Sequence, residues 1–177
     1  MKRWWVVVAL LVLLTGACSK DGDEAASFRS AGVESAPEMG RPAPDVGFVS
    51  LGGEKLRLSD YAGKPVFLNL FATWCPPCRA EMPSMQKLYE RAAGDGLVML
   101  AVSAEDRDVV EKFVRDNGFT FTVGVDPDRS VMDAYRVRAI PATFLIDRHG
   151  TIVYQHVGYL DWTSDEATRQ INALLGK

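Results

Sequence analysis

This chain of 177 residues carries few metal ligands: three cysteines and two histidines. Zinc usually takes four protein ligands in a structural site. Cys75 and Cys78 have no second cysteine pair to complete such a set, and His149 and His156 stand far downstream without ligand spacing. No metal and no cofactor are expected. Long runs of one charge are also missing. The chain has 20 Lys and Arg against 23 Asp and Glu, for a net charge of −3, which speaks against nucleic acid as a partner. There are no internal repeats. The longest uninterrupted apolar run, Trp4 to Leu14, is well short of the roughly 20 residues a membrane-spanning helix needs.

That run has the setting of an export signal. Met1-Lys2-Arg3 is a short positive region, and Thr15-Gly16-Ala17 are small residues just before Cys18. Residues 1–17 are expected to be a cleaved leader. Leu14-Thr15-Gly16-Ala17-Cys18 resembles a bacterial lipobox, with Thr15 where leucine is commonest. The resemblance implies that Cys18 becomes the lipidated first residue. The segment from Ser19 to Gly40 is rich in Ser, Ala, Gly, Asp and Glu without periodicity, and reads as a flexible tether. Its r.m.s. span would be about 25 Å. The expected organisation is a leader (1–17), a lipidated cysteine with its tether (18–40) and one folded domain (41–177).

Within that domain, Val46–Ser50 and Lys55–Leu58 flank Gly52-Gly53 and suggest a hairpin. Pro65–Ala72 is apolar except for Asn69, as in a strand buried on both faces. A helix is expected over Pro77–Ala93, with Pro83 inside it, followed by a second buried strand over Leu97–Ser103. Asp106 is placed to cap a helix over Arg107–Asn117 that Gly118 ends. A strand over Phe121–Val125, a short helix over Ser130–Tyr135, paired strands over Ala142–Ile146 and Thr151–Val157, and a helix over Thr163–Leu175 complete the series. This order predicts an α/β fold with a mixed central sheet flanked by helices.

The chemistry concentrates at Trp74-Cys75-Pro76-Pro77-Cys78, between a buried strand and a helix. A disulfide across so short a loop constrains the unfolded chain little, so the pair reads as chemistry rather than as a staple. The first thiol would lie exposed at a helix N-terminus, where the dipole favours its thiolate. The second would lie one turn on, in reach of a mixed disulfide. Glu81 shares a helix face with Cys78 by i,i+3 spacing; spacing alone favours a solvated helix glutamate over a base. His149 and His156 read as a turn residue and an exposed strand residue, and Met82 and Met85 as helix packing.

Phe71-Ala72-Thr73-Trp74-Cys75-Pro76-Pro77-Cys78 resembles the active site of thioredoxin-like proteins. Ala139-Ile140-Pro141-Ala142-Thr143 resembles their cis-proline loop, and Pro83 matches their helix-kinking proline. The N-terminal hairpin and the inserted helix–strand unit from Arg107 to Val125 narrow the likeness to the exported, membrane-anchored TlpA/ResA-like subgroup. It covers residues 40–175. The resemblance implies a thioredoxin fold and thiol–disulfide exchange through Cys75 and Cys78. It implies a cis bond at Ile140-Pro141, with the backbone of Ile140 offered to an extended client and Trp74 covering the reactive sulfur. Asn69 stands where ordinary thioredoxins carry a buried Asp, and an amide cannot accept the proton of Cys78. The subgroup's Cys-x-x-Glu-x-Pro pattern, here Cys78 to Pro83, implies that Glu81 does so instead.

The expected activity is reduction of disulfides in exported cysteine-containing proteins, with apocytochrome c suggested by the resemblance and a membrane thiol donor as the source of electrons. The protein is expected to be a monomer at an extracytoplasmic membrane face. Two alternatives are a disulfide-donating oxidant and a copper chaperone using Cys75, Cys78 and a methionine. A peroxidase fits less well, because the Cys-x-x-Cys pair occupies the thioredoxin place. Pro76 and Pro77, which lack N–H groups, are expected to tune the couple.

Overall fold

The computed structural model describes residues 38–177 and the backbone of Arg29–Ser30. The proposed leader, Cys18 and most of the tether lie outside the described residues. In chain order the elements are β1 (Arg29–Ser30), β2 (Pro44–Asp45), β3 (Gly47–Ser50), β4 (Lys55–Arg57), β5 (Val66–Phe71), α1 (Pro76–Ala92), β6 (Val98–Ser103) and α2 (Arg107–Asn117). They continue with β7 (Thr122–Val125), α3 (Ser130–Ala134), β8 (Ala142–Ile146), β9 (Ile152–Val157) and α4 (Asp165–Leu175).

Seven strands form one mixed sheet in the order β4-β3-β7-β6-β5-β8-β9. Strands β5, β6 and β7 run parallel, as the crossover through α1 and then α2 requires. Strands β8 and β9 pair antiparallel beside β5, joined by the turn over 147–150. The expected hairpin is β3–β4. It joins the main sheet through Val49↔Val125 and Ser50↔Gly124. Gly124 permits that junction, because a Cβ there would stand 2.3 Å from the Phe48 ring. Short β1 pairs with β2 as a separate ribbon.

Strand β5 is the centre of the molecule and is buried along its whole length. Its alternating side chains divide the core in two. Val66, Leu68 and Leu70 pack with Leu58, Val131, Met132 and Phe144 on one side. Phe67 and Phe71 pack with Met82, Met85, Leu88 and Ile171 on the other. Burying each such side chain contributes roughly 2 kcal/mol. By the same alternation Asn69 points to the Phe67 and Phe71 side, under α1. Helix α1 buries Cys78, Glu81, Met82, Met85 and Leu88, the stripe of a helix lying on a sheet.

Three local expectations need correction. Asp106 occupies the N-cap position of α2, but its side chain makes no capping bond. The last helix begins at Asp165 rather than Thr163, because the Ser164 hydroxyl accepts from the Ala167 N–H and sets the start. His156 is half-buried rather than exposed, stacked parallel to Tyr154. Among the described residues no helix is long and apolar enough to cross a membrane.

Candidate active site

The chain leaves β5 at Phe71 and enters α1 at Pro76, and the four residues between them hold the site. Glu105, just beyond β6, clamps this loop. Its carboxylate accepts from the Thr73 N–H at 2.6 Å, the Thr73 hydroxyl at 2.7 Å and the Ser103 hydroxyl at 3.0 Å. The Cys75 N–H then donates to Ala72 O at 3.2 Å, turning the chain into the helix.

Cys75 is the N-cap of α1, with Pro76 and Pro77 in its first turn. Neither proline has an N–H, so the first donor available to the Cys75 sulfur is the N–H of Cys78, which reaches it at 3.3 Å. The two cysteines are joined in a disulfide. Cys78 is fully buried, and Cys75 is only 3 % exposed, which corrects the expectation of an open first thiol. Its sulfur is closed off by Cys78 on one side and by the loop carrying Ile140 on the other, the Ile140 carbonyl oxygen standing 3.7 Å away. The Ile140-Pro141 peptide is cis. Ile140 engages no other backbone group among the described residues. Trp74 is 70 % exposed. With Ile140 and Glu105 it lines a cleft of about 230 Å³ beside the disulfide.

Below the disulfide lies a polar cluster inside the core. Glu81 is fully buried, so it is not a solvated helix glutamate. The Asn69 amide donates to Glu81 Oε1 at 2.8 Å and to Thr143 Oγ1 at 2.9 Å, across the register pair Asn69↔Thr143 of β5 and β8. The Leu160 N–H makes a long contact of 3.4 Å with Glu81 Oε2. Asn69 Oδ1 and Trp162 Nε1 lack hydrogen-bond partners. The Trp162 indole favours the Glu81 charge from outside hydrogen-bonding geometry. Burial dominates over these donors and raises the Glu81 pKa from 4.5 to about 7. A carboxyl with that value exchanges a proton at neutral pH.

The site residues expected from sequence thus come together from three places: the β5–α1 loop, the first turns of α1 and the cis-proline loop before β8. Met82 and Met85 are fully buried in the core, as packing residues. Sequence reasoning missed the Glu105 clamp, for which there was no local signal. It also missed the pairing of Asn69 with Glu81, which strand alternation could have revealed.

A cysteine pair at the mouth of a helix, facing a cis-proline across the end of a mixed sheet, defines a thioredoxin-fold thiol–disulfide oxidoreductase. The chain belongs to the AhpC/TSA family, whose model matches residues 39–155, and to the ResA-like thiol–disulfide oxidoreductases related to it. It is 39 % identical over 142 residues to the thiol-disulfide oxidoreductase ResA of Geobacillus kaustophilus, covering 80 % of each chain. It is 36 % identical over 160 residues to ResA of Halalkalibacterium halodurans, covering 89 % of this chain and 88 % of that one. Its structure is similar to that of a thiol:disulfide interchange protein described as DsbE from Chlorobium tepidum. That match has a TM-score of 0.73 and 34 % identity, and covers 80 % of this chain and 100 % of the other.

Proposed function

We propose that the protein reduces disulfides in exported cysteine-containing proteins, with Cys75 attacking and Cys78 resolving. The Cys75 thiolate attacks one sulfur of a client disulfide. That bond breaks, and the departing client sulfur takes up a proton. Cys78 then gives its proton to the Glu81 carboxylate and attacks the Cys75 sulfur. The client leaves with both sulfurs reduced, and the Cys75–Cys78 disulfide forms. A membrane thiol donor returns two electrons and two protons to the pair. The observation that carries this reading is the buried carboxyl of Glu81, with a pKa of about 7, three residues along α1 from Cys78. Without such an acceptor the second thiol would be a poor nucleophile inside a core.

The client class follows from the likeness to the TlpA/ResA-like subgroup: apocytochrome c, whose haem-attachment motif is Cys-x-x-Cys-His. Ile140 offers an unengaged backbone beside the Cys75 sulfur, suited to an extended segment of this kind, and Trp74 stands at the rim. Mixing the reduced protein with a disulfide-bonded Cys-x-x-Cys-His peptide is expected to yield peptide thiols and oxidised protein. If the peptide stays oxidised while reduced peptide becomes oxidised by the disulfide form, the direction is reversed.

The leader and Cys18 support an extracytoplasmic site of action, with the domain held on a lipid anchor through residues 18–40. Replacing Cys18 with alanine is expected to release a soluble domain that still exchanges disulfides, because the folded core begins beyond the tether. Membrane fractionation checks this. If the variant stays in the membrane fraction, the apolar leader is the anchor instead.

A further inference from the structure

Among the described residues, two that are not glycine hold positive φ: Arg129 at 61° and Arg136 at 48°. Glycine or asparagine suits such backbone better than arginine, and strained residues of this kind gather at ligand clamps. The two arginines flank α3, and Arg138 follows two residues later, at the entry to the cis-proline loop. All three are exposed, and none forms an ion pair among the described residues.

Two of the three lie on the cleft that borders the loop carrying Cys75. Arg129 and Arg138 line the cleft that contains Trp74 and Ile140. Arg136 and Arg138 line a second cleft, of about 260 Å³, across residues 137–139, with Phe144 and Val157 in its wall. The carboxylate in the first cleft belongs to Glu105, and both of its oxygens are already taken by Thr73 and Ser103. Nearby Asp126 is likewise occupied, by the Ser130 hydroxyl and the Val131 N–H. Asp128 and Asp133 are exposed and not ion-paired with these arginines. A chain of net charge −3 therefore presents unpaired cations along the edge of its redox site.

The geometry points to a client segment that carries an acidic side chain two residues from the cysteine it presents to Cys75. This rests on the client reading above. In an extended segment, side chains at i and i+2 point the same way, about 7 Å apart. A cysteine directed at Cys75 therefore sends its second neighbours along the same rim, where Arg129 and Arg138 stand. An adjacent residue points away from the protein. Charge pairing there steers the encounter and discriminates among clients.

The test uses short peptides whose single cysteine carries a thionitrobenzoate leaving group, with Asp or Lys two residues away, reacted with the reduced full-chain protein. At low salt the Asp peptide is expected to react about tenfold faster than the Lys peptide, and the gap to narrow at 0.5 M salt, where the Debye length is only a few ångströms. In Arg129→Glu/Arg138→Glu the order is expected to invert. In Arg91→Glu/Arg169→Glu, with the same charge change on exposed residues of α1 and α4, it is expected to hold. Equal rates for the two peptides, or the same shift in both double variants, would overturn the proposal. So would a preference for glutathione disulfide over the Asp peptide, which would assign the rim to a small anionic thiol. Exchange between the disulfide form and dithiothreitol, an uncharged thiol, is read in parallel. Failure there overturns the oxidoreductase reading itself, whereas normal exchange with no peptide preference overturns only the inference about the acidic client.

Discussion

With Cys78 replaced by alanine, the protein is expected to accumulate client proteins as mixed disulfides on Cys75, whereas Cys75→Ala accumulates none. The asymmetry comes from position. The Cys75 sulfur sits at the N-cap of α1, 3.7 Å from the Ile140 carbonyl oxygen at the edge of the cleft. Cys78 lies one turn in, fully buried among the side chains that α1 packs against β5. A client sulfur reaches the first, itself only 3 % exposed, once the Ile140 loop at the cleft edge gives way, and reaches the second only after α1 has moved. Once Cys78 is gone, no second cysteine among the described residues can attack the intermediate. Non-reducing electrophoresis with mass identification of the trapped partner is the check. Equal trapping by both variants, or by neither, would reverse or remove the assigned roles.

Replacing Glu81 with glutamine is expected to slow client release by about two orders of magnitude, the lower end for loss of a positioned general base. The pH profile carries the finer signature. Glu81 accepts a proton only when ionised, so the resolving step in the native protein rises with pH through about 7. The variant lacks that inflection. Stability moves the opposite way. The folded protein holds the Glu81 proton more tightly than the unfolded chain, with values of about 7 and 4.5. This group's contribution is therefore most favourable below pH 4.5 and declines as pH rises to about 7. The decline amounts to roughly 3 kcal/mol, taking 1.36 kcal/mol per pKa unit. Urea unfolding of the disulfide forms at pH 4.5 and pH 8 is expected to show that loss in the native protein and not in Glu81→Gln. Parallel pH dependences, with unchanged client release, would return Glu81 to a packing role.

Much of this site was legible in the chain because its signals are local. The apolar run ending at Phe71, the Cys-x-x-Cys pair and the Ile140-Pro141 loop each sit within a few residues of sequence. Other features were not, for identifiable reasons. The β3–β7 junction pairs residues 49 and 125, and no local pattern encodes a contact at that separation. The burial of Glu81 was readable in principle: positions 78, 81, 82, 85 and 88 form one stripe of α1, and the glutamate sits within it. Strand alternation likewise puts Asn69 beneath that stripe, so the two polar residues had to meet. The burial of Cys75 depends on the Ile140 loop folding back from the other end of the domain. The left-handed backbone at Arg129 and Arg136 has no sequence marker at all, since neither residue is one that favours it.

The reduction potential of the Cys75–Cys78 couple tests the central claim most directly. A thiolate at Cys75 can draw on the Cys78 N–H and not on Pro76 or Pro77. Weak stabilisation of the reduced form lowers the potential. Redox equilibration against dithiothreitol or glutathione is expected to place the couple near thioredoxin's value of about −270 mV, and replacing Pro76-Pro77 with Gly-His to raise it. A native potential near the about −120 mV of DsbA would contradict the account and make this protein a donor of disulfides.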